Sequence, residues 1–169
     1  MKIAWYLFLS GWSLWLLGQS TPQLLIVTTR AFAPVAQTMQ SAKQSYGLAT
    51  TILYSESVNA LPSPEELLEA MRNRQQHFPF DHVLLLGDAQ HIPPFQGIQD
   101  TWHDHGYSLA DDDDFLPDWA VGRLPFADAA AAQAWWDRQQ AKRQPGYDGG
   151  KALVSVSALN RDDEEGVNI

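Results

Sequence analysis

Residues 82–88 read HVLLLGD. Four apolar residues follow one another without the alternation of a half-exposed strand, and the Gly-Asp pair after them is typical of a turn. This pattern predicts a strand that is buried on both faces, as in the centre of a parallel sheet. The run LLIVT at residues 24–28 has the same character. We expect both runs to form central strands, with Ile26, Val83 and Leu85 in the core.

A helix and a further strand are predicted between these two runs. Pro34 is placed to begin the helix and Gly47 to end it, and the inward face then carries Val35, Met39, Ala42 and Tyr46. The run ATTILY at residues 49–54 predicts the strand, with Ile52 in the core.

A second helix is predicted before residue 82. Ser63 and Glu66 have the spacing of a capping box, Pro64 stands at the first helical position, and the residues expected to face inward are Leu67, Leu68 and Met71. The resulting order of strand, helix, strand, helix and strand predicts an α/β fold with a mostly parallel sheet flanked by helices.

The second half of the chain begins with a loop of about 20 residues from Asp88 to Gly106, a length that is usually functional or disordered. The run WAVG at residues 119–122 predicts a short fourth strand. We expect Gly122 to allow a tight turn at its end and Arg123 to pair with the acidic run at residues 111–114.

The last predicted elements are a helix and a strand. Asp128 is expected to cap a helix from Ala129 to about Arg143, and ALVSV at residues 152–156 predicts another strand. A parallel strand needs a crossover helix after it, and none follows before Ile169. The sheet is therefore expected to be truncated.

Composition restricts the class of protein. The chain has 169 residues, of which 45% are hydrophobic and 18% charged, as in a globular protein with one domain. Its formal net charge of -9 argues against nucleic acid or anionic lipid as a partner. The cysteine count is 0, which excludes disulfides, thiolate metal sites and a cysteine nucleophile within these residues.

Residues 1–20 have the layout of a signal peptide. Lys2 precedes an uncharged apolar run from Ile3 to Leu17, and small residues up to Ser20 form a cleavage site. The run is shorter than the roughly 20 residues that span a bilayer, so cleavage is favoured over an uncleaved anchor. We expect an exported domain of residues 21–169, in the periplasm, on the cell surface or outside the cell, with no membrane association after cleavage.

The long loop contains the first candidate ligands. Asp88 follows a buried strand, where α/β sheets bind ligands, but an Asp there can equally cap the following turn. The loop also carries His91, His103 and His105. A His-x-His spacing can hold zinc, although a third ligand in register is not visible and solvated histidines are the simpler interpretation.

A run of acidic residues gives a stronger metal prediction. Adjacent carboxylates repel one another unless they are solvated or neutralised by a hard cation such as calcium. We predict a calcium site formed by Asp104, Asp111, Asp112, Asp113 and Asp114, with a solvated acidic turn as the alternative. The spacing is not that of an EF-hand, and the sequence has no GxSxG elbow, phosphate-binding glycine loop or zinc-binding helix motif.

Several of these segments together resemble a known family. VLLLGD is followed by Ile92 and Pro93, then by Asp104 and Tyr107, and then by an acidic turn and PDWAVGRLP at residues 117–125. This order resembles the gingipain-like family of secreted cysteine peptidases over residues 24–156. The resemblance implies a caspase-like α/β domain of which this chain is the amino-terminal part.

The resemblance also implies where the chemistry lies. The catalytic His, followed by Gly, and the catalytic Cys are expected beyond residue 169, and none of the histidines in this chain takes the catalytic role. Relatives that cleave after basic residues use acidic groups near the strand that begins here at Ala152. Acidic residues in that neighbourhood are Asp162, Asp163, Glu164 and Glu165, although these can also be ordinary solvent-facing charges. The implied partner is a protein or peptide substrate of the full-length parent.

Two other functions fit parts of the sequence. The chain could be a non-catalytic exported binding module that keeps the acidic turn. It could also be a receiver-like or flavodoxin-like domain, because these have the same order of strands and helices. The signal peptide argues against a receiver, and so does the absence of acidic residues at the end of the first strand, where residues 28–30 are Thr, Thr and Arg.

Overall fold

The computed structural model describes residues 22–97, 100–111 and 114–142. Within these residues the helices are α1 (Ala33–Ser45), α2 (Pro64–Gln75) and α3 (Ala129–Ala141). The strands are β1 (Gln23–Thr28), β2 (Ala49–Tyr54), β3 (His82–Leu86), β4 (Phe95–Gln96), β5 (Trp102–His103) and β6 (Ala120–Leu124). The predicted signal peptide, the strand at residues 152–156, the acidic residues 162–165 and two members of the acidic run, Asp112 and Asp113, lie outside the described residues.

In the described part of the chain, the main sheet has four parallel strands in the order β2-β1-β3-β6. Strands β1 and β3 are central and pair with each other, with Leu25 opposite Val83 and Val27 opposite Leu85. This confirms the prediction made from the two unbroken apolar runs. The α/β fold with a mostly parallel sheet and flanking helices is also confirmed.

The core has two layers because the central strands are covered on both faces. One face of β1 presents Leu25 and Val27 to α2, where Leu67 and Met71 are fully buried. The opposite face presents Ile26 to α1 and α3, where Met39 and Trp136 are buried. Successive residues of a strand point to opposite faces, so a strand covered on both sides needs an unbroken apolar run.

The predicted helix signals are confirmed at three helix ends. Ser63 Oγ accepts the Glu66 backbone N–H, and Glu66 accepts the Ser63 backbone N–H, which completes the capping box of α2. Asp128 caps α3 by accepting the Ala131 N–H. Gly47 follows α1 with a φ of +80°, the left-handed conformation that glycine adopts without strain.

Three sequence predictions are wrong in detail. Ile52 is only half-buried, because β2 is an edge strand of the sheet that the described residues form. Tyr46 lies just past the end of α1 and is 58% exposed. Gly122 does not end a strand: it lies in the middle of β6, opposite Leu84, and a Cβ atom there would meet nothing within 4 Å.

The described residues of the long loop form a hairpin and a helical turn. Strands β4 and β5 form a small antiparallel hairpin, and residues 105–108 form a 3-10 turn that buries Tyr107. Gly106 lies directly against the Phe95 ring, and a Cβ atom there would come within 2.5 Å of it. The turn can therefore pack on the hairpin only because residue 106 has no side chain. Within the described residues, no helix is long and apolar enough to cross a membrane.

Gly106→Ala is expected to destabilise the chain by about 1–3 kcal/mol, because the added methyl group overpacks the contact with Phe95. Chemical denaturation measures the change in the free energy of unfolding. Gly122→Ala is the matched control and should be neutral or slightly stabilising, because space is open at that position. Equal effects of the two substitutions would contradict this account of the turn.

Candidate functional site

The main polar cluster is centred on Arg123 of β6. Its Nε and Nη2 donate to the two Asp104 carboxylate oxygens at 2.7 and 2.6 Å. Its Nη1 donates to the carbonyl oxygens of Gly87 (3.0 Å), Asp88 (3.3 Å) and Ile92 (3.0 Å). The planar guanidinium therefore holds two parts of the long loop against the end of the sheet. We call this cluster the Arg123 clasp.

The carboxylate partner of Arg123 differs from the prediction. Asp104 lies in the turn that follows β5, before the run of residues 111–114 that was expected to supply the partner. The cause is the register of the sheet. Arg123 is paired with Leu85 on β3, which places its side chain near the segment that leaves β3.

Asp88 and His91 form a second polar pair just beyond β3. His91 Nδ1 lies 2.7 Å from Asp88 Oδ1, and the Gln90 N–H donates to the same oxygen at 3.0 Å. The hydrogen bond from His91 lowers the pKa of the Asp88 carboxyl below its ordinary value. Of the two interpretations of Asp88, the structure shows the turn cap.

The His91 ring is held in place from two further sides. The Phe32 ring meets it edge-on, with 4.9 Å between the ring centroids. Gly87, at a φ of +136°, lies so close that a Cβ atom there would be 2.9 Å from His91 Cβ. The imidazole is therefore fixed by its surroundings rather than solvated, contrary to the simpler interpretation of the loop histidines.

Tyr107 closes the same loop from the inside. Its hydroxyl donates to the Pro93 carbonyl at 2.6 Å, and Trp119 Nε1 donates to the Tyr107 carbonyl. Burial raises the pKa of the Tyr107 phenol well above its ordinary value, so the hydroxyl remains a hydrogen-bond donor at neutral pH. Tyr107 thus has a structural role beside the Arg123 clasp.

The described residues do not bring the predicted metal ligands together. Both oxygens of Asp104 are held by Arg123, Asp114 accepts the Leu116 N–H at 2.7 Å, and Asp111 is exposed. His103 stacks on Phe95 in the hairpin. In the described ranges, no group of three His, Asp or Glu side chains could hold a metal ion. Since Asp112 and Asp113 lie outside these ranges, the calcium site stays a prediction.

Sequence reasoning missed one group at this end of the sheet. Glu56 follows β2, and both of its carboxylate oxygens accept the Arg30 backbone N–H, at 2.9 and 3.0 Å. The Arg30 guanidinium lies over the Tyr54 ring, 5.5 Å from its centroid. The available signal was the position of Glu56, because a polar residue just after a parallel strand lies where α/β sheets place their ligands.

Arg123→Ala is expected to lower the free energy of unfolding by about 2–3 kcal/mol, because it leaves the half-buried Asp104 carboxylate without its cation and removes the side-chain donor of the Gly87 and Ile92 carbonyl groups. Arg123→Lys should recover only part of this loss, since an ammonium cannot reproduce the planar fork. Chemical denaturation measures both effects, and Arg138→Ala on the exposed surface of α3 is the control. A loss no larger than that of the control would contradict the role of the clasp.

Three solved structures share this fold. "Structure of Protease" has a TM-score of 0.63 at 16% identity and covers 72% of this chain and 28% of its own. The complex of Porphyromonas gingivalis RgpB pro- and mature domains has a TM-score of 0.62 at 17% identity, over 69% of this chain and 28% of that one. The Arg-specific cysteine proteinase gingipain R (RGPB) has a TM-score of 0.61 at 18% identity, over 69% and 27%.

This likeness confirms the caspase-like fold, and the chain spans little more than a quarter of the length of these proteins. No curated protein matches the chain significantly. The family model of peptidase family C25 matches residues 18–165, which is most of the sequence, and this confirms the gingipain-like resemblance. The chain belongs to peptidase family C25.

Proposed function

We propose that this chain is the amino-terminal part of a secreted cysteine-type endopeptidase whose catalytic His and Cys lie outside these 169 residues. The observation that carries the proposal is the match to peptidase family C25 over residues 18–165, in a chain whose cysteine count is 0. A cysteine peptidase attacks the peptide carbonyl with a thiolate, so the nucleophile must come from elsewhere in the parent protein. The substrates are accordingly proteins or peptides bound by that parent.

The role of this part is to support the catalytic domain rather than to perform its chemistry. Two layers of core cover a parallel sheet, and the Arg123 clasp fixes the segment that leaves β3. Within that segment, the titratable side chains of Asp88 and His91 are hydrogen-bonded to each other in a turn. Such a rigid unit can hold the catalytic residues of a neighbouring segment in position.

Export is part of the same proposal. It rests on residues 1–20, with their basic start, apolar run and small residues before Thr21. Sequencing the amino terminus of secreted material should give a start near Thr21, and a start at Met1 would contradict export by cleavage.

The pure 169-residue chain is expected to show no turnover of fluorogenic peptides, whereas the protein encoded by the complete reading frame should cleave them in a thiol-sensitive way. The DNA beyond the codon for Ile169 should encode a His-Gly pair and then a Cys in the same frame. An open frame that lacks both would favour the non-catalytic binding module instead. Thiol-sensitive cleavage by the chain alone would refute the assignment of its role.

Calcium is expected to stabilise the chain if the carboxylates of the acidic run gather around one ion, because a ligand that binds only the folded state stabilises it by mass action. Asp104 does not fit this set, since Arg123 holds both of its oxygens. Thermal unfolding with calcium and with a chelator measures the effect. The combined substitutions Asp111→Asn, Asp112→Asn, Asp113→Asn and Asp114→Asn should abolish it, and a melting curve indifferent to calcium would leave the solvated acidic turn as the explanation.

A further inference from the structure

A cavity of about 360 Å³ lies at the carboxyl ends of the three strands β1, β2 and β3. The segments that leave these strands all contribute to it: Thr29 follows β1, Glu56 follows β2 and His91 follows β3. The volume is within the range of small-ligand sites. Among the described residues, neither the Arg123 clasp nor Asp111 and Asp114 line this cavity.

The cavity lies at the topological switch point of the sheet. From β1 the chain passes through α1 to β2 on one side, and then returns through α2 to β3 on the other side of β1. The two helices pack on opposite faces, so the segments after β1 and β3 diverge and leave a crevice between them. Open α/β sheets bind their ligands in that crevice.

The polar groups of the cavity accept hydrogen bonds. Glu56 contributes a carboxylate, and Ser55 and Thr29 contribute hydroxyl groups. Thr29 is 9% exposed, and its Oγ1 is buried without a hydrogen-bond partner among the described residues. His91 Nδ1 faces the Asp88 carboxylate, which can only accept while it is ionised, so the other nitrogen of a neutral His91 ring is an acceptor. The carboxylate and these acceptors favour a ligand that supplies donors, although the hydroxyl groups and the Gln90 amide can also donate.

The geometry of Glu56 selects the type of donor. The Arg30 N–H lies 2.9 and 3.0 Å from the two oxygens, and therefore between them. That position is the one a guanidinium fork would need for a bidentate contact. The Ser55 hydroxyl also donates to Glu56 Oε2, at 3.5 Å, so the remaining acceptor capacity suits a donor that approaches one oxygen, Oε1, rather than both. An ammonium is such a donor, because it is a compact charge with three N–H groups.

We propose that this cavity binds a primary ammonium group carried on an aliphatic stem. Glu56 supplies the charge, the hydroxyl groups and His91 supply further acceptors, and Ala31 and Leu61 provide apolar walls for the stem. The net charge of -9 raises the local concentration of cations. A free alkylamine and the lysine side chain of a peptide share this chemistry. The proposal does not depend on the peptidase activity of the parent protein.

The test titrates the full 169-residue chain at pH 7 with n-butylammonium, n-butylguanidinium and uncharged n-butanol, while amide chemical shifts are recorded. Butylammonium should give saturable shifts at residues 29–31, 55–61 and 90–92, and the other two probes should bind at least several-fold more weakly. A capped lysine, Nα-acetyl-lysine methylamide, identifies the source. Tighter binding than butylammonium indicates a peptide lysine, and weaker binding indicates a free amine.

Glu56→Gln keeps the shape of the side chain and one acceptor for the Arg30 N–H, but it should weaken butylammonium binding about threefold to fivefold, because it removes the charge of an exposed carboxylate. Glu69→Gln is the matched control: this exposed residue of α2 lies outside the cavity, and its variant should bind as the original chain does. Equal affinity in the Glu56 variant, equal binding of the guanidinium, or no saturable shifts at the cavity would overturn the proposal. The shift map of the unsubstituted chain decides the question even where Glu56→Gln prevents folding.

Discussion

The guanidinium of Arg123 donates hydrogen bonds to five acceptor atoms where the chain leaves β3 and enters the long loop. Three of these are main-chain carbonyl groups of a segment that belongs to no helix or sheet ladder, and the other two are the oxygens of Asp104. Buried carbonyl groups need donors, and this irregular segment supplies them from its own backbone only in part: the His91 and Ile92 N–H groups donate to the Asp88 carbonyl. The Arg123 side chain, on the neighbouring strand, donates to that carbonyl and to those of Gly87 and Ile92. Through Asp104, the same guanidinium connects the turn that buries Tyr107 to the segment that contains the Asp88–His91 pair.

The sheet itself could be predicted from the sequence because its determinants are local. The bounds of β2 and β3 coincide with apolar runs, and the capping box places the start of α2 at Pro64. The errors arise where the burial or position of a residue depends on neighbouring strands rather than on the local sequence. Ile52 has the right character for a core residue, but in the part of the chain that the structure describes β2 pairs on one side only, with β1. Gly122 predicted a turn because it is a glycine. It lies within strand β6 instead, where the register with β3 places it opposite Leu84.

The site was less predictable, because its contacts connect residues far apart in sequence. Arg123 was recognised as an ion-pair residue. Its partner, Asp104, lies 19 positions earlier in the sequence and comes close only because the loop folds back. Asp88 allowed two interpretations until His91 was seen beside it. Glu56 carries no motif at all, and only the parallel arrangement of β1, β2 and β3 places it beside Thr29 and His91.

The pairing of β1 with β3 has a consequence for synthesis on the ribosome. Thr28 Oγ1 donates to the Leu86 carbonyl across a separation of 58 residues, so the apolar strand β1 emerges long before its partner. At ordinary translation rates of about 5–20 residues per second, that interval lasts roughly 3–12 s. During it, the run LLIVT can be covered on one side at most, by β2 and α1. The nascent chain should therefore be a substrate for chaperones that bind short extended apolar segments, until residue 86 has left the exit tunnel.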